Sequence, residues 1–350
     1  MLPTTRRHDI DWLRVIAIWL LIIYHLGIGF QPWGVFIGFI QNNDSLTGLH
    51  APMFLLNVWR IPLLFFVSGM GVCFAMRKRN WKELIRERTQ RILIPLAFGT
   101  VAVVPWHTLL WQSYYHQDLA YTPHPGHLWF LANIFAYVLL LLPFFTYLKH
   151  QPESRLSQGL HWLFARPLVF LVIVLCFIGE AWLVAPASFE QYAYTWHGFW
   201  LGLLAFLFGY LMVYTGAAMW EQLRRGKWFF LLLAMGLYVW RLVWYDLMAP
   251  YPLMAIESNA WIFALFGLGY QYLNRPGAAL NYLSKASYPI YILHMFFLFL
   301  GSYLLFPLSW PAVVKFVLVA LFTFAGCYAT YEWVIRRVGF LRPLFGLRPR

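Results

Sequence analysis

The chain has 350 residues, of which 61% are hydrophobic, 21% aromatic and only 11% charged. A soluble domain averages about 25% charged residues, so this composition excludes an ordinary soluble enzyme and predicts a polytopic membrane protein. The formal net charge is +13, but the basic residues cluster beside apolar segments. That pattern favours a cytoplasmic membrane surface that suits anionic lipid or a phosphorylated cytosolic ligand, and nothing else in the sequence supports nucleic acid.

A spanning helix needs about 20 mostly apolar residues. By this measure the sequence predicts an all-α integral membrane protein with about ten transmembrane helices, forming one transmembrane domain over residues 1–350. The predicted spans are 11–30, 52–76, 91–112, 127–148, 167–186, 197–215, 228–248, 253–273, 286–306 and 311–335.

The positions of Lys and Arg predict the orientation of these helices. Basic residues precede the first span and follow the second, fourth, sixth, eighth and tenth, the last cluster running from Arg336 to Arg350. The loops 31–51, 113–126, 187–196, 249–252 and 307–310 contain neither Lys nor Arg. This alternation predicts that both termini are cytoplasmic. The first span has no small-residue cleavage pattern after it, so we expect a retained signal anchor.

The first predicted helix has polar residues within an apolar run. Asp11 and Arg14 are near its start, and His25 is eleven positions after Arg14, about three turns or roughly 16 Å along one face. Ionisable groups are costly in hydrocarbon, so they usually face a cavity or a pathway. The alternative is that Asp11 and Arg14 pair at the interface, while His25 bonds a neighbouring helix. The residues alone leave both interpretations open.

Four basic residues lie inside predicted spans, namely Arg14, Arg60, Arg241 and Lys315. Lys315 is close to the outer end of the last span and is expected to snorkel. Arg241 has Asp246 shortly after it and Glu257 at the start of the next span, which favours a structural ion pair between helices. Arg60 has no carboxylate nearby in sequence, so we expect it to face a polar cavity.

Other polar residues within spans are further site candidates. His127 begins the fourth span in GHLWFLANIF, with Trp129 and Asn133 nearby. His294 lies in the middle of the ninth span, with Tyr291 at helical spacing. Each histidine is equally consistent with a hydrogen-bonded or interfacial group, and this choice stays open.

The remaining polar residues fit no motif for metal or nucleophile chemistry. Glu332 is at the inner end of the last span, where Arg336 at i+4 offers an ion pair. His107, His161 and His197 have no pattern that singles them out, and no histidine pair has zinc-ligand spacing. We therefore expect no metal site, and the three cysteines predict no disulfide framework. Any chemistry has to be assembled across helices.

Six stretches resemble the membrane acyltransferase 3 family, and within it the glucan biosynthesis protein C (glucan succinyltransferase) branch. They are DWLRVIAIWLLIIYHLG, WRIPLLFFVSG, RTQRILIPLAFG, GHLWFLANIFAY, SYPIYILH and YEWVIRRVGFLRPLFGLRP, in order over nearly the whole chain. The resemblance implies O-acyl transfer from cytosolic acyl-coenzyme A to a hydroxyl of a periplasmic carbohydrate, at the bacterial inner membrane. In this branch the acyl group is expected to be succinyl, or else acetyl, and the acceptor an osmoregulated glucan.

The family's motifs assign roles residue by residue. The Arg–His motif carries over onto Arg14 and His25, and the Arg-x-x-Arg motif onto Arg88 and Arg91. The resemblance therefore predicts His25 as the catalytic base, with Glu332 as a second catalytic residue. Donor binding is assigned to four charged residues on the inner side, namely Asp11, Arg14, Arg88 and Arg91. The acceptor or acyl pocket is assigned to Arg60, His127, Trp129, Asn133, Tyr291, His294 and Arg241.

Two further functions compete with this prediction. A transporter or flippase of a glycan or lipid-linked precursor predicts inverted repeats and paired broken helices, which the sequence does not display. A purely structural partner in a glycan-synthesis complex leaves Arg60 and His25 buried without a role. Acyl-coenzyme A is expected as a co-substrate and no cofactor as a permanent ligand. The oligomeric state is left open, a homo-oligomer included.

Overall fold

The computed structural model describes residues 6–348, and every regular element in that range is helical. The main helices are α1 (His8–Ile28), α2 (His50–Met76), α3 (Trp81–Arg88), α4 (Ile94–Ala102), α5 (Val104–Tyr114), α6 (Trp129–His150), α7 (Arg155–Phe164), α8 (Leu168–Val184), α9 (Trp196–Tyr214), α10 (Ala217–Trp244), α11 (Tyr251–Tyr272), α12 (Ala278–Leu305), α13 (Ala312–Ala329) and α14 (Leu341–Leu344). Short 3₁₀ turns occupy Gly34–Ile37, Thr47–Leu49 and Gly126–Leu128, and π turns occupy Thr89–Leu93 and Thr330–Ile335.

Nine helical stretches within residues 6–348 are long and apolar enough to cross a membrane. A tenth arises if α7 and α8, bent by 102° at their junction, count as one span. Pro167 caps α8 and helps to end the preceding helix, because proline cannot continue a helical hydrogen-bond ladder. The prediction of an all-α polytopic membrane protein with about ten spans is confirmed.

Three of the predicted spans differ from the observed helices in where they begin or are interrupted. Helix α10 begins at Ala217, eleven residues before the predicted span, because Glu221 pairs with Arg224 and Arg225 and supports a polar first half. Helix α12 likewise begins at Ala278 rather than 286. The third span is interrupted at Val103, where α5 starts with a proline at its first turn.

The described residues form two compact units. The first unit contains the residues up to Ala17, Asn57–Glu87 and Asn133–Leu280. The second unit contains Ile18–Leu56, Arg88–Ala132 and the residues from Asn281 onward. Arg350, which belongs to the last basic cluster of the sequence, lies outside the described residues.

In the first unit, α11 packs against both α8 and α10, and α8 also packs on α9. Helices α2 and α9 approach very closely because each has a glycine at the contact. A Cβ atom added to Gly69 would collide with the carbonyl of Phe206, and one added to Gly209 would collide with the carbonyl of Phe66. Small residues permit such close helix contacts in membrane proteins, where apolar burial alone does not drive helix association.

A buried charge cluster lies in the same unit. The Arg241 guanidinium is fully buried and makes ion pairs of 2.9 Å with Glu190 and 2.8 Å with Glu257. It also donates to the carbonyl of Leu247 at 3.2 Å. The predicted interhelical pair with Glu257 is therefore present. The pair with Glu190 was not predicted. Glu190 comes from the loop before α9 and brings a second acidic side chain to the same guanidinium.

Glu190 makes the stability of the protein depend on pH. Burial raises its pKa from the ordinary 4.5 to about 8, against the opposing attraction of Arg241. The folded state thus binds a proton more strongly than the unfolded state, so the stabilisation is present below about pH 4.5 and is lost as the pH rises through about 8. We expect the midpoint of thermal unfolding in detergent to fall between about pH 5 and pH 8. Glu190→Gln should flatten this slope, and parallel profiles for variant and wild type would contradict the assignment.

In the second unit, aromatic side chains fill the space between the outer part of α1, α12 and α13. Phe30 contacts Phe306 and Phe316 edge-on, with ring centroids 5.0 and 5.4 Å apart. Lys315 does not snorkel as predicted. Its side chain is buried and its Nζ donates to Asn42 Oδ1 at 3.1 Å and to the carbonyl of Phe306 at 2.8 Å. These hydrogen bonds tie the 31–46 loop to α13, which is why the ammonium is held inside.

Candidate active site

Two histidines from different helices meet in the second unit. His25 Nδ1 on α1 lies 2.9 Å from His294 Nε2 on α12. Their rings are stacked, with centroids 5.2 Å apart and planes within 5°. His294 is fully buried, His25 is partly exposed, and Phe39 packs on the His25 ring at 5.8 Å. The His25–His294 pair is the centre of the candidate site.

The hydrogen bonds around this pair fix which ring nitrogens carry protons. His294 Nδ1 lies 2.6 Å from the carbonyl oxygen of Tyr291, which can only accept. His294 therefore donates from Nδ1, and its Nε2 in the neutral ring accepts from His25 Nδ1–H. Neutral His25 then has its lone pair on Nε2. By accepting a hydrogen bond from His25 Nδ1, His294 orients the His25 ring so that Nε2 can act as a base. The acidic residue of a hydrolase triad orients its histidine in the same way.

A third histidine extends the pair. The His127 ring lies edge-on to His294, with centroids 4.9 Å apart. Its Nε2 donates to the carbonyls of Tyr291 and Ile292 at 3.1 and 3.2 Å, and Tyr291 Oη donates to the carbonyl of His127 at 2.6 Å. These reciprocal bonds lock the 3₁₀ turn before α6 onto α12. The structure thus brings together four of the predicted site residues: His25, His127, Tyr291 and His294.

Two histidines without any predicted role continue the row. His107 on α5 has its ring centroid 5.8 Å from His127 and 6.4 Å from His124. The backbone N–H of Gly126 donates to His124 Nδ1 at 3.1 Å, so His124 Nε2 donates to Thr108 Oγ1, also at 3.1 Å. Burial lowers the pKa of His124 below its ordinary value, and both hydrogen bonds suit its neutral form.

The sequence offered one unused signal for these two residues. His107 lies in the third predicted span, His124 in the loop that follows it and His127 at the start of the fourth span, and Pro125 stiffens the turn between the last two. Apolar residues around His107 made it resemble an interfacial helix end. Within the described residues, no group of three His, Cys, Asp or Glu side chains has the geometry of a metal site.

Aromatic side chains surround the outer end of α5 in the same unit. Trp111 and Tyr114 contact Tyr115, with ring centroids 5.3 and 5.1 Å away. Tyr114 also meets Tyr303 of α12 at 6.0 Å, and Ser113 Oγ lies 3.3 Å from the Tyr303 hydroxyl. All of these side chains are partly exposed. Stacked rings beside hydroxyl groups suit a ligand that has both apolar faces and hydroxyls.

The residues predicted to bind the donor fall in both units. In the first unit, Arg14 pairs with Asp11 at 3.0 Å, and Asp11 also accepts from Arg6. The Arg14 side chain remains 42% exposed, so it is accessible to a ligand. In the second unit, Arg88 ends α3 and Arg91 lies in the π turn that follows, both partly exposed.

Glu332 lies in the π turn at the inner end of α13. It accepts from Arg336 at 2.6 Å and from the Tyr282 hydroxyl at 3.0 Å. The i+4 ion pair suggested by the sequence is therefore formed. These contacts give Glu332 a structural partner and no described contact with the histidine row.

The other residues assigned to the acceptor or acyl pocket are divided between the units. Trp129 begins α6 in the second unit and contacts Phe130. Asn133, Arg60 and Arg241 belong to the first unit. Arg60 is 2% exposed and donates to Asn57 Oδ1 at 3.3 Å. Arg241 is paired with Glu190 and Glu257 in the buried charge cluster.

Many apolar spans define a multi-pass membrane protein, and a pair of histidines from two of its helices forms the candidate site. A family model described as an acyltransferase domain, acyltransferase 3, matches residues 7–332. The chain therefore belongs to the acyltransferase 3 family. Neither the comparison with curated proteins nor that with solved structures finds a match.

Proposed function

We propose that this multi-pass protein transfers an acyl group from cytosolic acyl-coenzyme A to a hydroxyl of a carbohydrate on the outer side of a bacterial inner membrane. The observation that carries the proposal is the 2.9 Å contact of His25 Nδ1 with His294, which makes His25 Nε2 the basic nitrogen. Succinyl is the favoured acyl group and acetyl the next, with a periplasmic osmoregulated glucan as acceptor.

In the direct mechanism, His25 Nε2 takes the proton from the acceptor hydroxyl as the oxygen attacks the thioester carbonyl. The tetrahedral intermediate collapses by breaking the carbon–sulfur bond. The coenzyme A thiolate that leaves receives the proton from His25, so no net proton is released. His294 keeps the Nε2 atom of His25 directed at the reacting atoms, so His294 is a positioning residue. In the alternative, His25 Nε2 itself attacks the thioester, the carbon–sulfur bond breaks and coenzyme A leaves as the thiolate. The acceptor hydroxyl then takes the acyl group from the acyl-histidine, and its proton goes to the thiolate.

Donor binding is proposed for the basic residues on the predicted cytoplasmic side. Arg14 precedes His25 on the same helix, and we assign it a phosphate or pantetheine amide of the donor. Arg88 and Arg91 are assigned the nucleotide phosphates, because guanidinium groups bind phosphate through paired hydrogen bonds. Asp11 pairs with Arg14 at 3.0 Å, and we assign it the role of orienting this guanidinium.

Acceptor binding is proposed for the outer part of the second unit. The rings of Trp111, Tyr114 and Tyr115 offer faces on which a sugar ring can stack, and Trp129 adds another. His127 is one ring further along the row from His294. We assign Arg241 to structure, since two carboxylates already balance its charge. Arg60 remains the candidate cation for the free carboxylate of a succinyl group.

Ligand-dependent stability tests the donor assignment. A ligand that binds only the folded state raises stability by about 2.7 kcal/mol at a hundredfold excess over its dissociation constant. We expect coenzyme A, acetyl-coenzyme A and succinyl-coenzyme A to raise the unfolding midpoint of detergent-solubilised wild type, with the largest shift for the true donor. Arg14→Ala should lose the shift, whereas Arg225→Ala, at an exposed ion pair on α10, should keep it. Equal shifts in both variants would refute the role of Arg14, and no shift in wild type would count against acyl-coenzyme A as donor.

A further inference from the structure

His107 is the buried histidine for which the proposed reaction gives no role. Its side chain is 6% exposed, and it packs against Phe299, with ring centroids 5.0 Å apart, and against His127. Its Nδ1 is buried and has no hydrogen-bond partner among residues 6–348. A buried polar atom in this state is rare in folded proteins and points to a missing ligand or water.

The Nδ1 atom of His127 also lacks a hydrogen-bond partner among the described residues. Its Nε2 faces two carbonyl oxygens at 3.1 and 3.2 Å, so Nε2 carries the proton and Nδ1 carries the lone pair. That Nδ1 is also buried, and no described residue donates to it. Two neighbouring imidazoles thus each present an unsatisfied Nδ1, and the one on His127 requires a donor.

A hydroxyl group meets both requirements. The two ring centroids are 5.8 Å apart, so the rings are close enough for one hydroxyl group to bond to both. A hydroxyl donates its hydrogen to His127 Nδ1 and still has lone pairs for a protonated His107 Nδ1. A carbonyl or carboxylate cannot donate, and an ammonium group cannot accept. The His127 ring is in turn 4.9 Å from His294, next to the proposed base.

We propose that His107 and His127 bind, through their Nδ1 atoms, a second hydroxyl of the acceptor molecule while another of its hydroxyls is acylated at His25. This inference rests on the proposed function and adds a selection rule to it. The acceptor is a polyol, and a compound with one hydroxyl is a poor substrate because it leaves these two nitrogens unpaired. A site that hydrogen-bonds a substrate hydroxyl discriminates strongly against analogues that lack it.

The test compares two acceptors that share a six-membered ring. Methyl β-D-glucopyranoside has four hydroxyls, whereas tetrahydropyran-2-methanol has only the primary one. We expect the purified full-length protein, with acetyl- or succinyl-coenzyme A as donor, to favour the glucoside in kcat/KM. His107→Phe keeps the ring packing against Phe299 and should lower kcat/KM for the glucoside about tenfold, equal to about 1.4 kcal/mol. Its kcat/KM for the mono-alcohol should not fall, because this acceptor has no second hydroxyl to lose, and its KM for the donor should stay that of wild type.

Two polar variants separate hydrogen bonding from packing. Asparagine places its amide near the position of Nδ1 and glutamine near that of Nε2, so His107→Asn should retain the preference and His107→Gln should lose it. Because both are of similar size and polarity, this comparison decides the matter even if His107→Phe fails to fold. Equal losses for the two acceptors, no loss for either, or equal behaviour of Asn and Gln would overturn the proposal. Failure of wild type to release coenzyme A with any acceptor would instead overturn the proposed function.

Discussion

His25→Asn should reduce acyl transfer by about 10²–10⁴-fold, the range attributed to a general base. Asparagine can still donate an N–H to His294 Nε2, which preserves the contact seen at 2.9 Å, but it has no nitrogen able to take a proton. The variant should therefore fold and insert normally while losing its reaction. The measurement is coenzyme A release with and without a carbohydrate acceptor, together with the unfolding midpoint of each variant.

Variants of His294 provide the matched comparison for this result. His294→Gln keeps an acceptor near the position of Nε2 and should lose much less activity than His294→Leu. A positioning residue should change kcat while leaving KM for the donor unchanged. Full activity in His25→Asn, or identical activities in the two His294 variants, would rule out this arrangement as the catalytic one.

Arg241→Met should destabilise the protein by about 3–5 kcal/mol, the cost of leaving buried charges without their partner. The guanidinium is completely buried, and its removal leaves the buried side chains of Glu190 and Glu257 without their ion-pair partner. The check is the unfolding midpoint in detergent. Arg225→Met, on the same helix but at an exposed ion pair, should change the midpoint little.

The triple variant Arg241→Met, Glu190→Gln, Glu257→Gln separates charge from packing. Removing all three charges together avoids any uncompensated ion, so most of the lost stability should return. If the triple variant is as unstable as Arg241→Met alone, the guanidinium acts through its hydrogen bond to Leu247 and its packing rather than through charge balance. Because Arg241 lies in the first unit, away from the histidine row in sequence, its loss should lower stability more than intrinsic activity.

The sequence predicted the number and type of elements well, because long apolar runs can only be helices in lipid. It placed His25, His127, Tyr291 and His294 among the candidates because each is polar within an apolar run. It did not predict which helices become neighbours, since nearly every face of a membrane helix is apolar. The pairing of α1 with α12, and hence the contact of His25 with His294, required the structure.

Residues near helix ends were the ones the sequence misjudged. Lys315 is expected to reach the surface from its position in α13, but a loop carrying Asn42 covers it and supplies acceptors. His107 resembled an interfacial residue, yet the turn at Gly126–Leu128 encloses it with two more histidines. Periodicity describes a helix by itself and contains no information about the loop that folds over its end.

Sealed vesicles offer the most direct test of transfer across the membrane. Purified protein would be reconstituted with labelled acetyl- or succinyl-coenzyme A in the lumen and methyl β-D-glucopyranoside outside. The account predicts that labelled ester accumulates outside while free coenzyme A appears inside, and that His25→Asn vesicles produce neither. Ester formation only when donor and acceptor share one compartment would contradict transfer across the membrane. Movement of the glucoside without coenzyme A release would identify a transporter instead.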